Sequence, residues 1–167
     1  QHIFQTILGS GCHEHGTIDM QMRNTMLTHM SLNVIAPAAA PENPIQAEFV
    51  RHSVELYKNF IRPFLPESKI YHHTPEMGLL KDDFYILEIA APDSNKGAVA
   101  VFTLPNTKTS AVTVIPKGID AGKMYKIILD NSRTCYTASG HELIANGVPV
   151  SIPSAMSSEL ILFEATT

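Results

Sequence analysis

The densest run of acid–base side chains is Cys12-His13-Glu14-His15, followed by Asp19 and Arg23. Imidazoles and carboxylates at this spacing can hydrogen-bond a polar ligand, move protons or hold a metal. The run follows an apolar stretch, Ile3 to Leu8, closed by Gly9-Ser10-Gly11. A strand, a glycine break and a polar loop follow one another in this order at the C-terminal end of an α/β-barrel strand, where such folds build their sites. Three readings stay open: His13, Glu14, His15 and Asp19 bind a substrate, the His-x-His pair binds zinc, or the run is an ordinary polar loop. The His-Glu-x-x-His spacing that puts two imidazoles on one helix face is absent, so no metal ligand is assigned.

Two further clusters are weaker. His72-His73 with Tyr71 and Glu76 stands where helical periodicity gives way to strand periodicity, and a hydrogen-bonded polar junction is the expectation. Ser139-Gly140-His141-Glu142 contains a serine beside a histidine, but no Gly-x-Ser-x-Gly elbow exposes it, so a turn before a short helical or irregular segment is expected. Of the six aspartates, Asp82, Asp83, Asp93, Asp120 and Asp130 fall in turns or β segments. There they act as turn formers, satisfying nearby backbone donors.

The elements that position these groups follow from pattern. Met22, Met26, Met30, Leu27 and Val34 recur at spacings of three and four, which suits a helix within residues 17–36. Thr17 or Asp19 can cap it, and the methionines read as adaptable core filling; Ser31 to Ala36 reads equally as a short buried strand. Pro37 to Pro44 is an extended loop. A second helix is predicted from Pro44 to Arg62, capped by Asn43 with Gln46 reaching back. Ile45, Phe49, Leu56 and Phe60 form its stripe, with Val50, Val54 and Tyr57 widening it. On its other face His52 is expected to pair with Glu48, and Arg51 with Glu55. From Tyr85 the period becomes two, and strands are predicted near Phe84–Ile89, Ala98–Leu104, Ala111–Ile115, Met124–Leu129, Thr134–Ala138, Val148–Ile152 and Glu159–Glu164. Ile86, Ile89, Val99, Val101, Val114, Ile128, Ile161 and Phe163 are the candidate core. Seven strands with tight turns fit two antiparallel sheets face to face.

With 167 residues the chain holds about one domain and is too short for a complete eight-fold barrel. Hydrophobic residues at 44% against 17% charged fit a folded chain. A net charge of -4 with 12 scattered Lys and Arg gives no basic field for nucleic acid. No apolar run approaches about 18 residues, and residues 1 to 20 carry no signal-peptide pattern. Gln1 opens directly into Ile3 and Phe4 without an initiator Met, so a fragment or processed chain is expected.

Five segments together resemble the C-terminal end of α-galactosidase-like glycoside hydrolases of the melibiase group. ELYKNFIRPFLPESKIYHHTPE (Glu55 to Glu76) is similar to that group's last barrel helix and its exit. FYILEIAAPDSNKGAVAVFTL (Phe84 to Leu104) is similar to the first hairpin of its terminal sandwich. GIDAGKMYKIILDNS (Gly118 to Ser132) resembles a Gly-x-Asp-x-Gly-x-x-Tyr segment, followed by SGHELIANGVPVSIPS (Ser139 to Ser154), and SELILFEA (Ser158 to Ala165) resembles the closing strand.

The resemblance implies an α+β fragment: an N-terminal helical, barrel-remnant segment followed by an antiparallel β-sandwich. Residues 1–75 would be the end of a (β/α)8 catalytic barrel (last strand, loops and helix) and 76–167 the C-terminal β-sandwich domain. The implied parent is a retaining glycosidase acting on α-galactosides or related α-glycosides, whose paired carboxylates stand about 5 to 5.5 Å apart. Both are implied to lie upstream, no residue here matches their motifs, and the chain alone is expected to be inactive. His13, Glu14, His15 and Asp19 are then the candidate substrate-binding residues, and no cofactor is implied. The expected partners are the rest of the barrel and, in the intact enzyme, a carbohydrate; a homo-oligomer through an uncovered helix stripe is a further expectation. Neither nucleic acid nor a membrane span is expected. The alternative is a non-catalytic carbohydrate-binding or interaction β-sandwich, for which the absence of Trp leaves a thin aromatic platform.

Overall fold

The computed structural model describes residues 17–27, 44–74 and 84–166. Its elements are α1 (Ile18–Met26), α2 (Pro44–Leu56), β1 (Lys69–His72), β2 (Phe84–Ala90), β3 (Lys96–Thr103), β4 (Ala111–Val114), β5 (Met124–Leu129), β6 (Thr134–Ser139), α3 (Gly140–Asn146), β7 (Val148–Ser151) and β8 (Ser158–Thr166). Six strands form one antiparallel sheet in the order β1-β2-β3-β8-β5-β6, and β4 pairs with β7 in a second, two-stranded sheet. The fold is therefore an α+β fragment with a β-sandwich, and all seven predicted strands are present. β1, too short and exposed to carry an alternating signature, was not expected; it adds an edge to the large sheet beside β2.

Period two sends alternate residues to opposite faces, and each face of the large sheet has its own core. Ile86, Val99, Val101, Tyr125, Ile127, Ile161 and Phe163 point toward the small sheet, where Val114, Val148 and Val150 meet them. Leu87, Ile89, Ala98, Ala100, Leu160 and Leu162 point the other way, toward Met26, Leu27, Ile61 and Phe64. Of the candidate core residues, Ile89 belongs to this helix side and Ile128 packs on its margin, only partly buried. The reason is register: Ile86 and Ile89 are three apart on one strand, so they cannot share a face.

The centre of the inter-sheet core requires glycine at position 97. Gly97 lies opposite Phe163 in register, and a Cβ there would come within 2.1 Å of that ring. Phe163 also meets Tyr125 edge-on, with ring centroids 5.9 Å apart. The Gly-x-Asp-x-Gly-x-x-Tyr segment is explained by the same tyrosine. Its hydroxyl accepts from the Asp120 N–H (2.8 Å) and donates to the Ser94 carbonyl (2.8 Å), while Asp120 Oδ1 accepts from the Gly122 N–H (2.8 Å). The motif closes a turn and ties it to the β2–β3 hairpin.

The second helix runs as predicted but changes pitch. It is α-helical to Leu56 and then makes a π turn over Tyr57–Ile61, with the Arg62 N–H donating to the Tyr57 carbonyl at 2.7 Å. Leu56, Tyr57 and Phe60 pack against the helix-side core, in which Ile61 is fully buried. Asn43 and the side chains of Ile45 and Gln46 lie outside the described residues. No described helix is long and apolar enough to cross a membrane.

Candidate functional site

Of the four candidate substrate-binding residues, Asp19 is described; His13, Glu14 and His15 lie outside the described residues. Asp19 stands in the first turn of α1, whose entry is fixed by the Thr17 N–H and hydroxyl, both donating to the Met156 carbonyl (3.0 and 3.2 Å). Its Oδ2 accepts from the Ser158 N–H (3.0 Å) and the Ser158 hydroxyl (2.8 Å), and from the Ser157 hydroxyl (3.3 Å). The same oxygen is 3.4 Å from Arg23 Nη1, one helical turn along.

Arg23 is the centre of this cluster and is only 1% exposed. Nη1 donates to the Ser158 carbonyl (2.7 Å) and hydroxyl (3.1 Å). Nη2 donates to Asp130 Oδ2 (2.9 Å) and Asn131 Oδ1 (2.6 Å), and is 3.8 Å from Glu159 Oε1. Phe49 of α2 stacks beneath the guanidinium at 5.8 Å from its ring centroid. Asp130 in turn holds His52, whose Nε2 is 2.6 Å from Oδ1, so His52 pairs across to the β5–β6 turn and not with Glu48, which pairs with Arg51. Burying a guanidinium costs several kcal/mol unless its donors are met, and here three segments of chain, α1, the β5–β6 turn and the start of β8, meet those of Nη1 and Nη2. Nε alone is buried without a hydrogen-bond partner.

Apart from Nε, the charged groups of this arrangement are all engaged. The Glu159 carboxylate accepts from the N–H groups of Asn131 (2.9 Å), Leu160 (2.8 Å) and, at 3.3 Å, Ser132. Asp19 is committed to Ser158 and Arg23. The cluster fastens α1 and α2 to the sandwich; it leaves no free carboxylate facing an open space.

A second buried charge escaped the sequence reading. Glu88 in β2 is 0% exposed, yet Oε1 accepts from the Gly118 N–H (2.6 Å) and Oε2 from the Lys117 N–H (2.9 Å). His73 Nε2 lies 2.6 Å from Oε2, making it the member of the His72-His73 cluster that joins helical exit to sheet. Glu76 lies outside the described residues. The signal for this site was a lone acid inside the apolar run FYILEIAA. The signal for the Arg23 cluster was fainter, because Asp130-Asn131-Ser132 reads as a plain turn. Ser139 and Glu142 form a capping box at the start of α3: the Glu142 N–H donates to the Ser139 hydroxyl (3.2 Å) and the Ser139 N–H to Glu142 Oε2 (2.9 Å). That backbone hydrogen bond holds the Glu142 carboxyl below its ordinary range. Among the described residues no group of three or more His, Cys, Asp or Glu is placed to hold a metal ion.

A large antiparallel sheet with helices latched on one face and a small sheet on the other is found within solved glycoside hydrolases, among them α-galactosidases. The GH36 alpha-galactosidase AgaA from Geobacillus stearothermophilus matches at TM-score 0.69 and 17% identity over 87% of this chain and 19% of that one. A doubly substituted variant of it in complex with stachyose matches over 96% of this chain and 21% of that one, at TM-score 0.69 and 12% identity. The galactosidase domain of the alpha-galactosidase-sucrose kinase AgaSK matches at TM-score 0.62 and 17% identity, over 86% of this chain and 19% of that one. At these identities the likeness is one of fold, and the chain spans about a fifth of the length of the chains it matches. No protein-family model and no curated protein matches the sequence.

Proposed function

We propose that the chain is the C-terminal portion of a glycoside hydrolase acting on α-galactosides or related α-glycosides, stabilising a catalytic barrel whose nucleophile and acid/base lie outside it. Residues 1–75 are then the barrel's end and 76–167 its terminal sandwich domain, with the strand Lys69–His72 lent to the sandwich sheet. The observation that carries this reading is the extent of the fold likeness, 86 to 96% of the chain, which exceeds the sheet and takes in helical segments as well. A sandwich matched alone would say far less, because sandwiches host many activities. The Arg23 latch supports the stabilising role, since it gives the helices one seat on the sheet. His13, Glu14 and His15 remain the residues proposed to touch sugar. Asp19 is proposed to serve the same loop by anchoring the helix that follows it.

The test is turnover of a nitrophenyl α-galactoside by the isolated 167 residues and by the whole polypeptide that contains them. The whole polypeptide should hydrolyse it and the isolated chain should match a heat-killed control. In the whole polypeptide, Glu14→Gln or His13→Ala should weaken kcat/KM by about 1 to 3 kcal/mol for a lost buried hydrogen bond. Turnover by the isolated chain, abolished by either substitution, would place catalysis among His13, Glu14, His15 and Asp19 and overturn the reading. A whole polypeptide inert toward every α-glycoside would overturn it from the other side.

A further inference from the structure

A cleft of about 540 Å3 opens on the flank of the sandwich, lined by β6, α3 and β7. Leu129, Leu143 and Ala138 supply apolar surface there, and Tyr136, Asn146 and Ser151 supply a phenol, an amide and a hydroxyl. None of those three polar side chains hydrogen-bonds to another described residue, unlike those of the Arg23 cluster. Burial raises the pKa of the Tyr136 phenol above its ordinary value, so it stays a neutral donor at any physiological pH.

The lining excludes most ligand classes. No Lys, Arg or His is among its residues, so a phosphate or carboxylate finds no counter-charge. Both carboxylates present are occupied: Glu142 by the Ser139 N–H and hydroxyl, Glu159 by backbone N–H groups. A cation therefore finds no free acid. A wholly apolar ligand would desolvate the phenol, the amide and the hydroxyl without pairing them. A neutral polyol ring satisfies both halves of the surface, its C–H face against Tyr136 and the leucines and its hydroxyls on the three free groups.

We propose that this cleft is a binding site for a neutral saccharide, with Tyr136 as the platform and Asn146 and Ser151 as hydrogen-bonding partners. It is non-catalytic, and it stands or falls independently of whether the whole polypeptide hydrolyses α-galactosides.

The test is a titration of the isolated chain with raffinose, and separately with maltotriose, followed by amide chemical shifts. Saturable shifts are expected at residues of β6, α3 and β7, with a dissociation constant of about 1 mM for so open a site. Tyr136→Ala should weaken binding at least tenfold and Asn146→Ala severalfold, while Tyr136→Phe, which keeps the ring, should weaken it less than Tyr136→Ala. Asn146 is exposed, so its variant carries the test even where loss of Tyr136 disturbs folding. Absence of saturable shifts with both sugars, shifts confined to another surface, or an unchanged affinity in Asn146→Ala would overturn the proposal. So would cleft shifts that follow protein concentration alone, which assign the surface to a second copy of the chain. Hydrolysis by the whole polypeptide with no binding by the cleft would end this proposal and leave the glycosidase reading intact.

Discussion

On one face, the six-stranded sheet meets β4 and β7 through Val99, Val101, Tyr125, Ile127, Ile161 and Phe163; on the other, Ala98, Ala100, Leu160 and Leu162 meet helices and Arg23 crosses the boundary. The first face is filled mainly by β-branched and aromatic side chains from strands, with Leu143 of α3 added at one end. The second is lined by smaller residues along β3, which let the helices come close, and its alignment is set by charge. Apolar contact is tolerant of sliding, whereas a guanidinium that needs Ser158, Asp130 and Asn131 at once accepts one position. The contrast teaches that the sandwich can be specified by volume, while the seating of α1 and α2 is specified by hydrogen-bond geometry.

The largest effect is expected on the volume-specified face. Phe163→Ala removes the ring that fills the space above Gly97, and should cost about 3 to 5 kcal/mol in urea unfolding. A loss under about 1 kcal/mol would mean the inter-sheet core can collapse around the gap, and the contrast between the faces would fail.

Arg23→Lys tests the other face by keeping charge and losing the fork. A lysine cannot reach Ser158, Asp130 and Asn131 together, so about 1.5 to 3 kcal/mol should be lost. Hydrogen exchange should speed up in α1 and α2 well before β3 and β8. Equal acceleration in helices and central strands would show that the latch is not a local device. Asp130→Asn is the milder version, since the amide oxygen can still accept from Nη2. About 1 kcal/mol is expected, because His52 at 49% exposure shares its interaction with solvent. It should loosen α2 more than β5, read by the same exchange experiment.

The same contrast explains what could be read from sequence. Strands buried on the volume-specified face announce themselves by alternation and by turn residues, and Met124–Leu129 falls where its period placed it. The neighbours of β8 did not, because its place between β3 and β5 joins segments far apart in sequence and leaves no local trace. β1 carries exposed residues on both sides of its backbone and so has no periodic signature. The π turn at Tyr57–Ile61 has the same spacing of apolar residues as a continued α-helix. Arg23 reads, with Asp19, as the end of the polar run that starts at Cys12; its burial depends on Asp130 and Ser158, each more than a hundred residues away. Asp19 was singled out for its company in sequence, and its partners are likewise at the far end of the chain.

The smallest effect concerns the end of the inter-sheet face nearest solvent. Leu143 of α3 is buried in that apolar core, but the helix is started by an exposed capping box between Ser139 and Glu142. The backbone hydrogen bond from Ser139 lowers the Glu142 pKa below its ordinary 4.5. A carboxyl with a depressed folded pKa contributes stability that is present above the unfolded value and lost as pH falls through the folded one. Acidification should therefore loosen α3 below about pH 4.5 while the buried strands β3 and β8 keep their protection. The Ser139 amide, which donates to Glu142, should titrate with a midpoint under 4.5, and Ser139→Ala, which loses the hydroxyl that also donates to Glu142 but keeps the N–H, should move the midpoint only part of the way back toward that value. A wild-type midpoint at or above 4.5 would show that the box is not what holds the helix start. The acid sensitivity of this flank would then have to come from elsewhere on the sheet.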